Sequence, residues 1–284
     1  MTTYAVTGAT GKLGTLVVDS LLARGVSAGD VVALVRDTAK AAGLAERGVQ
    51  VRTGDYDDPA GLPAALAGVD RLLLVSSPTV GSRVAQHVAV IDAAADAGVS
   101  RIVYTSVANA DTTTMPVAPD HLDTEAHLAK SGIPTVVLRN GWYVENYTDQ
   151  LPQYRRAGAL ISAAGDGRIA AAPRTDYADA AAAALVGDVD TAVYELGGPA
   201  FTLRELAAAL SEITGEELPF REVTLDEYRA GLLAAGLDEG TAGFVTALEA
   251  GTARGDLDLA PTALEELIGR PATGLRPALA TILG

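Results

Sequence analysis

The stretch Gly8-Ala9-Thr10-Gly11-Lys12-Leu13-Gly14 decides the fold. It follows the β-rich run Tyr4–Thr7 and leads into an apolar-periodic helix expected over Leu13–Ala23. Glycine permits a tight turn and lets backbone N–H groups approach an anion closely. The helix that opens there adds partial positive charge for the same anion. The spacing is Gly-x-x-Gly-x-x-Gly, and its place between strand and helix makes it a pyrophosphate cradle. The first ~35 residues are therefore expected to form a dinucleotide-binding βαβ unit.

Outward from this unit, short apolar runs alternate with helical patterns. Strands are expected at Val31–Val35, Val49–Thr53, Arg71–Ser76, Arg101–Thr105 and Thr135–Leu138, separated by helices near Thr38–Arg47, Ala60–Ala67, Ser82–Ala97 and His121–Lys130. Near-continuous apolar strands between helices mean a parallel sheet covered on both faces. Gly25, Gly48, Gly68, Gly98 and Gly132 each follow a helix, where a left-handed stop residue belongs. This is a doubly wound α/β Rossmann sheet. After Asn140 the alternation weakens. An Ala-rich helix at Asp176–Val186 and a strand at Val193–Leu196 return to the sheet, and helices with a strand at Phe220–Val223 follow. Residues 1–140 and 174–197 are thus expected to form the dinucleotide-binding domain. Residues 141–173 and 198–284 form a smaller, discontinuous α/β substrate lobe. Thr202 with Glu205, and Thr224 with Glu227, carry the spacing of capping boxes.

The end of the second strand selects the cofactor. An acid there binds a ribose 2′-OH, whereas an arginine accommodates a 2′-phosphate. Arg36 comes first, followed by Asp37 and, one turn on, Lys40. This favours NADPH, with NADH as a weaker second choice because of Asp37. Gly8, Thr10, Gly11, Lys12, Leu13, Gly14 and Arg36 are the expected cofactor contacts. Asp55, at the same sheet edge, faces the adenine amine or serves as a turn acid. Ser76 and Ser77 end the fourth strand, where the loop passes the nicotinamide end.

Bulk properties narrow the partners. The 284 residues carry a net charge of −15, which repels phosphate backbones and anionic membranes. There are no cysteines, which excludes disulfides, thiolate nucleophiles and zinc–cysteine sites. The start of the chain has no signal-peptide layout. The expected setting is cytoplasmic, as a monomer or homodimer, with a small-molecule partner and neither nucleic acid nor membrane.

Carboxyl-terminal strand ends line the ligand crevice of such a sheet. Ser106 ends the fifth strand, either to polarise a substrate carbonyl or as a strand-end cap. Asn140 ends the sixth and should face the nicotinamide together with Tyr143. Trp142, Tyr143 and Tyr147 offer aromatic surface to a flat ring, the alternative being core packing between lobes. His121 and Glu125, four residues apart, share a helix face; they make a proton donor with its orienting acid, or a surface pair. Only three histidines exist, and no ligand set with metal-binding spacing is seen.

These segments resemble a known family. Gly8–Gly14, Arg36, Thr105-Ser106 and Arg139-Asn140-Gly141-Trp142-Tyr143 are similar to the NmrA-like, atypical branch of short-chain dehydrogenase/reductases. Tyr104-Thr105-Ser106, Asp120-His121, Leu138–Tyr147 and Ala163–Gly167 resemble the bacterial NAD(P)H:quinone oxidoreductases of type 2, and the likeness runs nearly end to end. The resemblance implies two-electron reduction of quinones by NADPH. Short-chain dehydrogenases generally carry Tyr-x-x-x-Lys for proton transfer. None of the nine tyrosines here has a lysine four residues on. That departure counts against alcohol chemistry. A ketone needs an acid because hydride addition builds an alkoxide, whereas a quinone gives a delocalised, weakly basic phenolate. Ser106, His121, Asn140 and Tyr143 remain the candidates to polarise or protonate the acceptor. Two other readings stay open: a non-catalytic NADP(H)-binding redox sensor, and a reductase of another activated acceptor such as an enone or imine. Gly25-Val26-Ser27-Ala28-Gly29 matches Gly-x-Ser-x-Gly but joins a helix to a strand at the wrong end of the sheet for a nucleophile elbow.

Overall fold

The computed structural model describes residues 1–79, 81–259 and 262–284. Its first half runs β1 (Tyr4–Thr7), α1 (Gly14–Ala23), β2 (Val31–Val35), α2 (Ala42–Glu46), β3 (Gln50–Thr53), α3 (Leu62–Ala65), β4 (Arg71–Leu74), α4 (Arg83–Asp96), β5 (Arg101–Val107), α5 (Ala118–Lys130) and β6 (Thr135–Asn140). The second half begins with β7 (Trp142–Tyr143), α6 (Glu145–Thr148), α7 (Leu151–Ala157), β8 (Leu160–Ser162), β9 (Arg168–Ile169), β10 (Ala171–Ala172), α8 (Arg174–Val186) and β11 (Val193–Leu196). It ends with β12 (Phe201–Thr202), α9 (Leu203–Thr214), β13 (Phe220–Glu222), α10 (Leu225–Ala234), α11 (Glu239–Ala253), α12 (Thr262–Ile268) and α13 (Leu275–Leu283).

The central sheet has seven strands in the order β11-β6-β5-β4-β1-β2-β3, and every neighbouring pair is parallel. The order reverses between β1 and β4, and such a switch point opens a crevice beyond the strand ends. Two apolar layers cover the faces. On one, Val17, Val18 and Leu21 of α1 and the alanines of α8 pack on Val6, Ala33 and Val103. On the other, Leu62 and Leu66, Val90 and Ile91 of α4, and Leu128 of α5 pack on Ala5, Leu34, Leu72 and Tyr104. All five residues of β2 are buried, as an interior parallel strand requires. The five helix-stop glycines all adopt positive φ.

The expected doubly wound fold is therefore the observed one, with boundaries shifted by a few residues. β4 stops at Leu74 and β5 continues to Val107. A second core gathers Val144, Tyr147, Leu151, Leu160, Phe201, Leu206, Leu210 and Leu279. Short strand pairs edge it: β7 with β10, β9 with β12, and β8 with β13. Both capping boxes form, Thr202 with Glu205 and Thr224 with Glu227. One element of the range 198–284 packs elsewhere: Leu264 of α12 lies in the first core, against α8. Among the described residues no helix is long and apolar enough to cross a membrane.

Candidate active site

A cavity of about 610 Å³ opens at the carboxyl ends of β1 to β4. Gly8, Thr10, Gly11, Lys12, Leu13, Gly14, Arg36, Asp55, Ser76 and Ser77 all line it, so the ten residues expected to contact a cofactor share one concave wall. Gly8 has φ +57, a left-handed turn suited to glycine. A Cβ on Gly14 would lie 2.3 Å from the Gly8 carbonyl oxygen, so the first turn of α1 sits against the loop only because residue 14 is glycine. No side chain caps the start of α1, and its first turn holds no acid. Its N–H groups and dipole thus face the cavity without a competing carboxylate.

Beyond β2, Arg36, Asp37 and Lys40 reach the same cavity with exposed side chains. The Asp37 carboxylate accepts the Ala39 N–H at 3.0 Å as the cap of a short 3₁₀ turn, Thr38–Ala41. One of its oxygens is held by its own backbone, while the two cations have no such constraint. Asp55 similarly accepts the Asp57 N–H at 3.1 Å, which gives it a turn-forming role beside its place in the wall. Lys12 pairs with Asp149 at 2.6 Å, joining the glycine loop to the second lobe.

The sequence did not point to Tyr56, Asp57, Thr79 or Gln86, which also line the wall. Gln86 lies inside a helix and carries no local signal. Tyr56 donates its hydroxyl proton to the Val75 carbonyl (2.8 Å) and its oxygen also meets Thr7 Oγ1, so it braces the cavity wall.

The expected catalytic residues lie apart from this wall. Ser106 is buried and donates to Glu125 Oε1 at 2.5 Å. Glu125 is itself gripped by Arg139 through Nε (3.1 Å) and Nη2 (2.7 Å), and Arg139 also reaches Glu195 and Asp111 at 3.1 Å. The Ser106 proton is thus committed to a carboxylate, and the expectation that it polarises a substrate carbonyl gives way to a structural role. The expected His121–Glu125 pair does not form either. His121 is buried, and its Nδ1 meets the Tyr104 hydroxyl at 2.8 Å. Burial, helped by the Arg83 charge, pushes its pKa down to about 3, the opposite of a raised value beside Glu125. It is a neutral interior imidazole.

Asn140 Nδ2 donates to the Tyr143 hydroxyl at 3.2 Å, while its buried Oδ1 has no partner among the described residues. The Tyr143 ring lies under the Arg174 guanidinium at 4.9 Å and edge-on to Tyr177 at 5.2 Å; burial raises its pKa. Asn140 and Tyr143 are therefore brought together, at the junction of the sheet with the second lobe. Trp142 and Tyr147 pack in the second core, and Tyr147 meets Phe201 edge-on at 6.3 Å. Tyr147 is thus core, not acceptor-facing surface. Among the described residues no three His, Asp or Glu side chains gather as a metal site would require.

A family model described as NmrA-like matches residues 2–239. The chain belongs to the NmrA-like family. Within it, quinone oxidoreductase 2 of Escherichia coli K12 is 45% identical over 274 residues, 95% of each chain. The crystal structure of an NADPH-dependent quinone oxidoreductase from E. coli complexed with NADPH superimposes with a TM-score of 0.93 at 43% identity, covering 99% of this chain and 100% of that one. Triphenylmethane reductase of Citrobacter sp., complexed with NADP(H), gives 0.91 at 36% identity, with 98% and 99% covered. The NAD(P)H azoreductase of Xenophilus azovorans is 31% identical over 94% of this chain and 93% of its own.

Proposed function

We propose that this NmrA-like protein is an NADPH-dependent quinone reductase. The observation that carries the reading is the single cavity that joins the glycine loop to Arg36 and Lys40. Its parts fit the dinucleotide. The absence of a side chain on Gly14 lets the helix start pack against the loop, that helix start has no capping side chain and no acid, and Arg36 and Lys40 offer two cations to a 2′-phosphate. NADH lacks that phosphate and gains nothing from them. The relatives reduce quinones, dyes or azo compounds with NAD(P)H, and all of these are acceptors that take electrons readily.

NADPH, when bound, supplies a hydride. The residues of this chain hold and orient it: backbone N–H groups of the glycine loop on the pyrophosphate, Arg36 and Lys40 on the 2′-phosphate, and the loop after β4 on the nicotinamide half. Of the four expected catalytic residues, Asn140 and Tyr143 are the two left to serve the acceptor oxygen, since Ser106 and His121 are engaged elsewhere. A delocalised phenolate product does not demand an internal acid, so proton uptake from water suffices. The enzyme acts on small molecules, with the acidic chain kept from nucleic acid and anionic membranes, in the cytoplasm, as a monomer or homodimer.

Anaerobic oxidation of NADPH with 1,4-benzoquinone and with a naphthoquinone tests the reading. Turnover on either, faster with NADPH than with NADH, is expected. Tight NADPH binding without turnover across quinone, azo and enone acceptors would sink it in favour of a sensor.

A further inference from the structure

The loop after β4 forms the cavity wall through Val75, Ser76, Ser77, Pro78 and Thr79. It belongs to no helix or strand, yet its peptide groups are held one by one from behind. The Val75 N–H donates to Thr7 Oγ1 at 2.8 Å, and the Val75 carbonyl accepts from Tyr56 at 2.8 Å. The Ser76 N–H donates to Thr105 Oγ1 at 2.9 Å. The Ser77 N–H donates to His87 Nε2 at 2.9 Å, and the Ser77 carbonyl accepts from Arg83 Nε at 2.6 Å. Buried side chains from separate elements thus replace the ladder that a strand would supply.

His87 stands out because its bond directions are forced. A backbone N–H can only donate, so Nε2 must be the unprotonated nitrogen. Nδ1 then carries the proton and donates to Thr124 Oγ1 at 2.9 Å. That hydroxyl passes its own proton to the Asp120 carbonyl at 2.8 Å. One tautomer satisfies every member of the chain from Ser77 through α4 to α5. His87 has no exposed surface and takes no part in the cavity wall. Burial, with Arg83 one turn away, holds its pKa down to about 3, so the acceptor nitrogen stays free of a second proton at working pH.

The sheet order tells which part of a dinucleotide this loop meets. Arg36 follows β2 on one side of β1, and the held loop follows β4 on the other. A cofactor with its pyrophosphate over the β1 loop and its 2′-phosphate toward Arg36 must send its nicotinamide half over Val75–Thr79. We infer that His87, fixed in one tautomer by Thr124, is a positioning residue that shapes the cavity wall for the nicotinamide half of the cofactor and not for the adenosine half. The inference rests on the NADPH reading above.

The test compares two probes on the full-length protein. One is NADPH. The other is adenosine 2′,5′-bisphosphate, which presents the 2′-phosphate and lacks the nicotinamide. His87→Leu leaves the Ser77 N–H without its buried acceptor and is expected to weaken NADPH binding by about tenfold or more. The Kd of adenosine 2′,5′-bisphosphate should stay within about twofold, and kcat with benzoquinone should fall. His87→Gln, whose amide can accept from Ser77 and donate to Thr124, should recover most of the loss. If His87→Leu unfolds, Thr124→Val carries the same comparison, because it removes the partner that sets the tautomer. Equal weakening of both probes, or no weakening of NADPH, in the folded variant overturns the inference. Failure of the wild-type protein to bind NADPH would overturn the functional reading instead.

Discussion

Arg36 and Asp37 stand side by side with opposite implications, and local geometry separates them. Asp37 closes its own 3₁₀ turn through the Ala39 N–H, while Arg36 projects into the cavity with Lys40. Charge-assisted hydrogen bonds to phosphate contribute about 1.5–3 kcal/mol. Arg36→Ala should therefore raise the KM for NADPH by roughly 10- to 100-fold while changing the KM for NADH by less than about twofold. Steady-state kinetics with both cofactors measures this, and an equal change for both would remove the 2′-phosphate assignment. Gly14 illustrates the other kind of residue-scale constraint. Its Cβ would fall 2.3 Å from backbone, which does not move aside as a flexible side chain would.

At the scale of elements, α4 and α5 form a polar layer inside an otherwise apolar face. They bring His87, Arg83, Thr124 and His121 beside Tyr104 of β5. Both histidines have pKa values lowered to about 3, chiefly by burial. An unfolded imidazole titrates near 6.5, so between these values the unfolded chain binds protons that the folded chain refuses. Stability from this source is complete above about pH 6.5 and is lost as the pH falls toward 3, by an amount of order several kcal/mol. The thermal midpoint should accordingly drop steadily from pH 7 to pH 4.5. A midpoint flat over that range, followed by circular dichroism, would mean that these imidazoles are not held neutral.

For the molecule as a whole, the last segment sews the two cores together. Leu264 of α12 belongs to the sheet-side core, and Ala278 and Leu279 of α13 belong to the second. The turn between them is tied to α8 by Asp176, which is fully buried. It accepts from the Thr273 N–H (2.7 Å), Thr273 Oγ1 (3.0 Å) and Arg270 (2.9 Å). Asp176→Ala strips the acceptor from these donors and should lower the thermal midpoint by roughly 5–10 °C. Because Asp176 lies away from the cavity wall, the Kd for NADPH of the folded variant should stay near that of the wild type. A large loss of affinity at unchanged midpoint would contradict this division.

The sequence by itself determined the sheet, and it named residues that line one cavity. Those depend on local patterns: near-continuous apolar strands between helices, glycine stops, and a glycine loop between a strand and a helix. Ten separately named residues converge on one cavity because each lies at a strand end or in the loop and helix start that follow one, and strand ends on a parallel sheet share one edge. Only the tertiary structure decided what Ser106, His121 and Glu125 do. Spacing put His121 and Glu125 on one helix face, but a helix face says nothing of what packs against it. Arg139, on the next strand, claims Glu125, and Tyr104, on the preceding one, claims His121. Burial then sets the charge state, taking His121 from a proton donor to a neutral strut. The hold that His87 has on Ser77 was likewise invisible in the chain, because it joins a helix interior to a loop through one nitrogen whose proton is set by a third element.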